Sequence, residues 1–155
     1  MEYNKIRRKS REITIGNCKI GGNAPIAIQS MTNTDTNDKN ATVAQVKALE
    51  QAGCDIVRVT VPTPESADII TAIREAGVKI PVVADIHFDY KSALRAIELG
   101  FDKIRINPGN IGSEDKIRAV AESANAKNIP INGNIISKQR LQSSIMDFHK
   151  RYINR

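Results

Sequence analysis

Ala52-Gly53-Cys54-Asp55-Ile56-Val57-Arg58-Val59 reads as the end of a helix feeding directly into a strand. A glycine just past a helix supplies the left-handed conformation that a β-carbon penalises, and a β-branched run follows at once. The same wording recurs in Ala76-Gly77-Val78-Lys79-Ile80-Pro81-Val82-Val83 and in Leu99-Gly100-Phe101-Asp102-Lys103-Ile104-Arg105-Ile106. Asn128 before Ile129 takes the glycine's part in a fourth unit.

Outward from these junctions, the helix starts are legible too. Thr63 precedes Pro64, Asp89 precedes Tyr90 and Ser113 precedes Glu114, each an N-cap residue with a suitable first-turn neighbour. Ile69, Ile70 and Ile73 share a helical face, as do Leu94 with Ile97 and Ile117 with Val120 and Ala121. An earlier helix over about 41–52 carries Val43, Val46 and Leu49. Strands are predicted near 26–29, 56–59, 82–84 and 104–106, each followed by a helix, which specifies a parallel sheet with right-handed crossovers. Ahead of them, residues 12–15 and 18–20 flank Gly16-Asn17 and read as a β-hairpin, which in a barrel closes the bottom.

Four βα units fit either a doubly wound sheet or half of an eightfold barrel. The doubly wound fold calls for a glycine-rich turn after its first strand, but this chain continues with Gln29-Ser30-Met31-Thr32-Asn33-Thr34. The fold class is therefore α/β, a partial (β/α)8 TIM barrel of about four βα units preceded by a hairpin.

The 155 residues carry a formal charge of +6, but the basic residues crowd the two ends: Lys5, Arg7, Arg8, Lys9 and Arg11 at one, Lys138, Arg140, Lys150, Arg151 and Arg155 at the other. A basic groove with interleaved aromatics is missing between them, which argues against nucleic acid. No stretch approaches membrane-spanning length and no apolar h-region follows the basic start, so a cytoplasmic location is expected. Cys18 and Cys54 form no C-x-x-C and read as reduced, partly buried thiols.

Alternation along a strand places Arg58 with Thr60, Asp85 with His87 and Arg105 with Asn107, near the C-terminal ends of successive strands. Barrel enzymes place their chemistry at that face, and charges converging there are costly unless a ligand or each other satisfies them. The glycine-containing turn from Pro108 to Ser113 opens a helix and offers backbone N–H groups to a phosphate. Each residue also has a plainer reading. The arginines could be surface residues, Asp85 a turn cap, His87 a structural histidine, and the Pro-Gly pair simple turn chemistry.

The segments Ile28-Gln29-Ser30-Met31-Thr32-Asn33-Thr34, Val57-Arg58-Val59-Thr60-Val61-Pro62, Val83-Ala84-Asp85-Ile86-His87-Phe88-Asp89-Tyr90 and Ile104-Arg105-Ile106-Asn107-Pro108-Gly109-Asn110-Ile111-Gly112 closely resemble 4-hydroxy-3-methylbut-2-enyl diphosphate synthases. The resemblance runs from about Arg8 to Ile131. It implies an oxidoreductase of non-mevalonate isoprenoid (terpenoid) biosynthesis that reductively opens 2-C-methyl-D-erythritol 2,4-cyclodiphosphate. It further implies a [4Fe-4S] cluster on a separate C-terminal domain, with ferredoxin or flavodoxin as electron donor. Carried over by matching motif, Arg58, His87, Arg105 and Asn107 are substrate contacts and Asp85 their orienting partner. A guanidinium fork suits a pair of diphosphate oxygens.

The resemblance stops at Asn132-Gly133-Asn134. Residues 1–131 are expected to form the N-terminal half of a βα-barrel domain, and 132–155 a divergent basic tail with no assigned domain, consistent with an out-of-frame or replaced segment. Within it, 138–152 keeps only a partial helical stripe at Leu141, Ile145, Met146 and Phe148. The cluster domain and its ligands are expected to be absent, which makes this chain alone an inactive, truncated synthase. The alternative is a non-catalytic remnant, or a half barrel that binds phosphorylated metabolites with a partner chain. Two open sheet edges and an uncovered inner face lead us to expect self-association.

Overall fold

Four times along the chain, a residue with positive φ separates a helix from the next strand: Gly53 (92°), Gly77 (84°), Gly100 (88°) and Asn128 (56°). At Gly100 nothing lies within 4 Å of where a β-carbon would sit, so only its left-handed backbone favours glycine. The computed structural model describes residues 10–133. Apart from Arg11, the residues of the basic ends and the partial helix expected over 138–152 lie outside the described residues.

A hairpin of β1 (Ile13–Ile15) and β2 (Cys18–Ile20) precedes a five-stranded parallel sheet. Its strands, in spatial and sequence order, are β3 (Gln29–Met31), β4 (Ile56–Thr60), β5 (Val82–Ile86), β6 (Lys103–Ile106) and β7 (Ile131–Gly133). The crossovers are α1 (Lys39–Gln51), α2 (Ile69–Glu75), α3 (Tyr90–Leu99), then a short α4 (Pro108–Ile111) with α5 (Glu114–Ala126). This is a partial βα-barrel, and no closed barrel forms among the described residues.

One face of the sheet meets the helices, where Val57, Val59, Val82, Ala84, Ile86, Ile104 and Ile106 pack against the helical stripes. Val46, Ile69, Ile70, Ile73, Ile97, Val120 and Ala121 are buried there, as their spacing predicts. The other face is the barrel interior. At its bottom the hairpin sets Ile15 against Ile56 and Val83, and so takes the closing position expected of it.

Two local expectations are corrected. The first parallel strand begins at Gln29, not Ile26, and Ile26 and Ile28 are exposed. There the Asp55 carboxylate takes the Ile28 N–H at 2.7 Å while the Ile28 carbonyl accepts from Asp55 N and Ile56 N, so regular pairing with β4 begins at Gln29. The helix predicted from Thr63 begins instead as a 3-10 turn, Glu65–Asp68, because Thr63 and Ser66 exchange hydrogen bonds and tighten the first turn. Asp89 caps α3 as predicted, accepting from Lys91 N at 3.0 Å.

Candidate functional site

Parallel register builds the site in layers on the inner face. Met31, Arg58, Val83 and Lys103 lie side by side across β3 to β6. One layer nearer the C-terminal ends come Thr60, Asp85, Arg105 and Asn132. His87 and Asn107 follow the last residues of their strands, above both layers.

Asp85 is the hub. It is 1% exposed, and a carboxylate so buried is costly to ionise without partners. Arg105 Nη1 donates to its Oδ1 at 2.5 Å. Arg58 Nε stands 3.1 Å from Oδ2, and His87 Nε2 3.5 Å from the same oxygen. The Arg58 contact is an ion pair without hydrogen-bond alignment, so Nε is a buried side-chain nitrogen without an acceptor among the described residues. Arg58 Nη2 meets the sulfur of Met31 at 3.0 Å, and a thioether is a weak acceptor. The guanidiniums are thus aimed and paired with one carboxylate, yet their donor capacity is far from filled.

Four of the five residues selected from the sequence come together here: Arg58, Asp85, His87 and Arg105. Asn107 stands at the rim in a different arrangement. Its side-chain oxygen accepts Gly109 N at 3.2 Å and caps α4, so the glycine-containing turn is a single helical turn. His87 is half exposed and meets Phe88 edge-on at 6.1 Å between ring centroids; Phe88 itself is largely exposed.

Sequence reasoning missed Lys103, whose side chain shares the inner face with Arg58 and Arg105. Counting back two residues from Arg105 would have found it. Burial first, then the positive charge of Arg58, pulls its ammonium below the ordinary lysine range. At the other end of the strands, Asp102 was also missed. Its Oδ2 accepts from Arg74 Nη2 at 2.5 Å and from Val82 N at 2.7 Å, while Arg74 Nη1 donates to the carbonyls of Val78 and Ile80.

An iron-sulfur cluster does not fit these residues. Cys18 lies on the hairpin with its thiol pushed up by burial and by Asp55, and Cys54 sits at the α1–β4 junction. Among the described residues no three His, Cys, Asp or Glu side chains converge on a point that could hold metal. Nor is any described helix long and apolar enough to cross a membrane.

The chain matches the GcpE TIM-barrel domain family over residues 10–145. It is 61% identical over 125 residues to the 4-hydroxy-3-methylbut-2-en-1-yl diphosphate synthase (flavodoxin) of Pseudomonas fluorescens (strain Pf0-1), covering 81% of this chain and 34% of that protein. The synthase of the same name from Marinobacter nauticus is 60% identical over 125 residues, with 81% of this chain and 33% of the relative covered. The chain thus spans about a third of the length of the curated relatives it matches. Among solved structures, the 7,8-dihydropteroate synthase of Vibrio fischeri superimposes with a TM-score of 0.64 at 15% identity, covering 94% of this chain and 60% of that one. The dihydropteroate synthase of Xanthomonas albilineans gives 0.60 at 12%, covering 91% and 57%. These structural likenesses show the fold alone.

Proposed function

Because the chain belongs to the GcpE TIM-barrel domain family, we propose that it carries the diphosphate-gripping portion of a 4-hydroxy-3-methylbut-2-enyl diphosphate synthase. The ligand is 2-C-methyl-D-erythritol 2,4-cyclodiphosphate, the substrate whose reductive opening serves isoprenoid biosynthesis. One observation carries this reading: two guanidiniums, from adjacent layers of the inner face, converge on one buried carboxylate and keep unspent positive charge and donors. A diphosphate supplies what is missing, because its paired oxygens match the guanidinium fork.

Asp85 orients both arginines, His87 offers a ring N–H or lone pair at the rim, and Asn107 fixes the α4 turn beside the ligand. Flavodoxin, the donor in the names of the relatives, is the electron donor proposed for the full-length protein. Among the described residues, those from the hairpin to β7 make up the half barrel, and a cytoplasmic setting suits the proposed flavodoxin donor.

Calorimetric titration of the cyclodiphosphate tests the site directly. Wild type is expected to bind saturably, and Arg105→Ala at least about thirtyfold more weakly, the cost of a charge-assisted bidentate contact. Wild type that takes up no ligand would end this reading.

Among the described residues β3 and β7 are the edge strands, and with Ile26 and Ile28 exposed beside β3 they favour pairing with a further barrel segment or a second copy. Light scattering of the purified chain should therefore report a mass above that of a monomer. A monodisperse monomer across a range of concentrations would remove the self-association.

A further inference from the structure

We infer that Lys103 is a third cation of the anion site, reaching the cyclodiphosphate from the layer it shares with Arg58, one below Arg105, and adding affinity for a doubly charged ligand. The inference rests on the reading of the site given above.

The register of β5 and β6 sets Lys103 opposite Val83, an apolar neighbour, and two residues before Arg105 on the same face. Two residues of strand rise about 6.6 Å, a span that the four-carbon lysine stem covers. The side chain is half buried and makes no hydrogen bond or ion pair with any described residue. The carboxylate that faces it from this side of the sheet, Asp85, is already engaged by Arg58, Arg105 and His87. Lys103 thus holds an unneutralised charge beside Arg58, in a setting that disfavours that charge, as the lowered position of its ammonium records. Three cations around one carboxylate leave an excess suited to a dianion. In the cyclodiphosphate each phosphorus carries a single acidic oxygen, so the ligand is a dianion with no further proton to lose in the neutral and alkaline range.

The groups facing Lys103 are Arg58 on β4, Asp85 and His87 on β5, Arg105 on β6, and Cys18 on the hairpin with its thiol held up by burial. The cyclodiphosphate is titrated into wild type and Lys103→Met from about pH 7.5 to about pH 10. Wild-type affinity is expected to fall about tenfold as Lys103 loses its proton, whereas Lys103→Met starts about tenfold weaker and stays flat. The urea midpoint of Lys103→Met at neutral pH is expected to rise, because a disfavoured charge has gone; a merely structural lysine would lose stability and binding together. A flat wild-type profile, or equal affinity in wild type and variant, overturns the inference while the site itself stands. Wild type that binds nothing at any pH overturns both. Should the variant fail to fold, the wild-type profile alone decides.

Discussion

Asp85→Ala is expected to destabilise the chain by about 3 kcal/mol, the cost of removing one partner from a buried ion pair. The carboxylate is 1% exposed while the arginine side chains around it are 24% and 22% exposed. Without it, Arg58 and Arg105 face each other across β5 with no counter-charge among the described residues, and the buried Arg58 Nε loses its electrostatic partner. Asp85→Asn is expected to fall between wild type and alanine, since an amide oxygen still accepts from Arg105 but neutralises nothing. Urea unfolding monitored by circular dichroism measures both. If alanine costs less than about 1 kcal/mol, the arginines are solvated well enough to need no partner, and Asp85 is not their anchor.

Asp102→Ala is expected to cost about 2 to 3 kcal/mol, by a different route. The main loss is the acceptor of Val82 N, a backbone donor at the entry of a strand buried along its whole length. The Arg74 pair adds little directly, because that side chain is 34% exposed. Arg74 nevertheless bridges Asp102 to two carbonyls of the α2–β5 connection, so its release loosens the bottom of the sheet. The turn glycine Gly16 packs against Asp102 so closely that a β-carbon there would lie 2.8 Å from the carboxylate, at φ 54°. The same unfolding measurement serves, with anion binding retained in folded Asp102→Ala. Loss of binding at full foldedness would mean that the two ends of the strands communicate.

The scaffold was legible because its signals are local. Left-handed glycines at helix ends, β-branched runs and periodic isoleucines lie within a few residues of what they specify, and β4 to β6 fall where they predict. Arg58, Asp85 and Arg105 stood out because charges interrupt apolar runs, and alternation alone sent them to one face. What escaped reading depends on partners far along the chain. Asp102 meets Arg74 and Val82 across 28 and 20 residues, and no spacing rule links them. The start of β3 coincides with Asp55 reaching back 27 residues to Ile28, a contact no local spacing reveals. Lys103 opens its strand, where a lysine reads as solvent-facing, although alternation back from Arg105 puts it on the inner face and the register with Val83 agrees. Asn107 looked like a ligand contact by motif, although Asn before Pro-Gly is equally the wording of a helix cap.

The strands of the parallel sheet stand in space in the order in which they leave the ribosome. Every new strand therefore docks on an edge its predecessor has just completed, after one crossover of similar length, and no pairing waits for a distant segment. Loop-closure entropy is met one crossover at a time, although each parallel pairing still closes a longer loop than the hairpin does and is correspondingly slower.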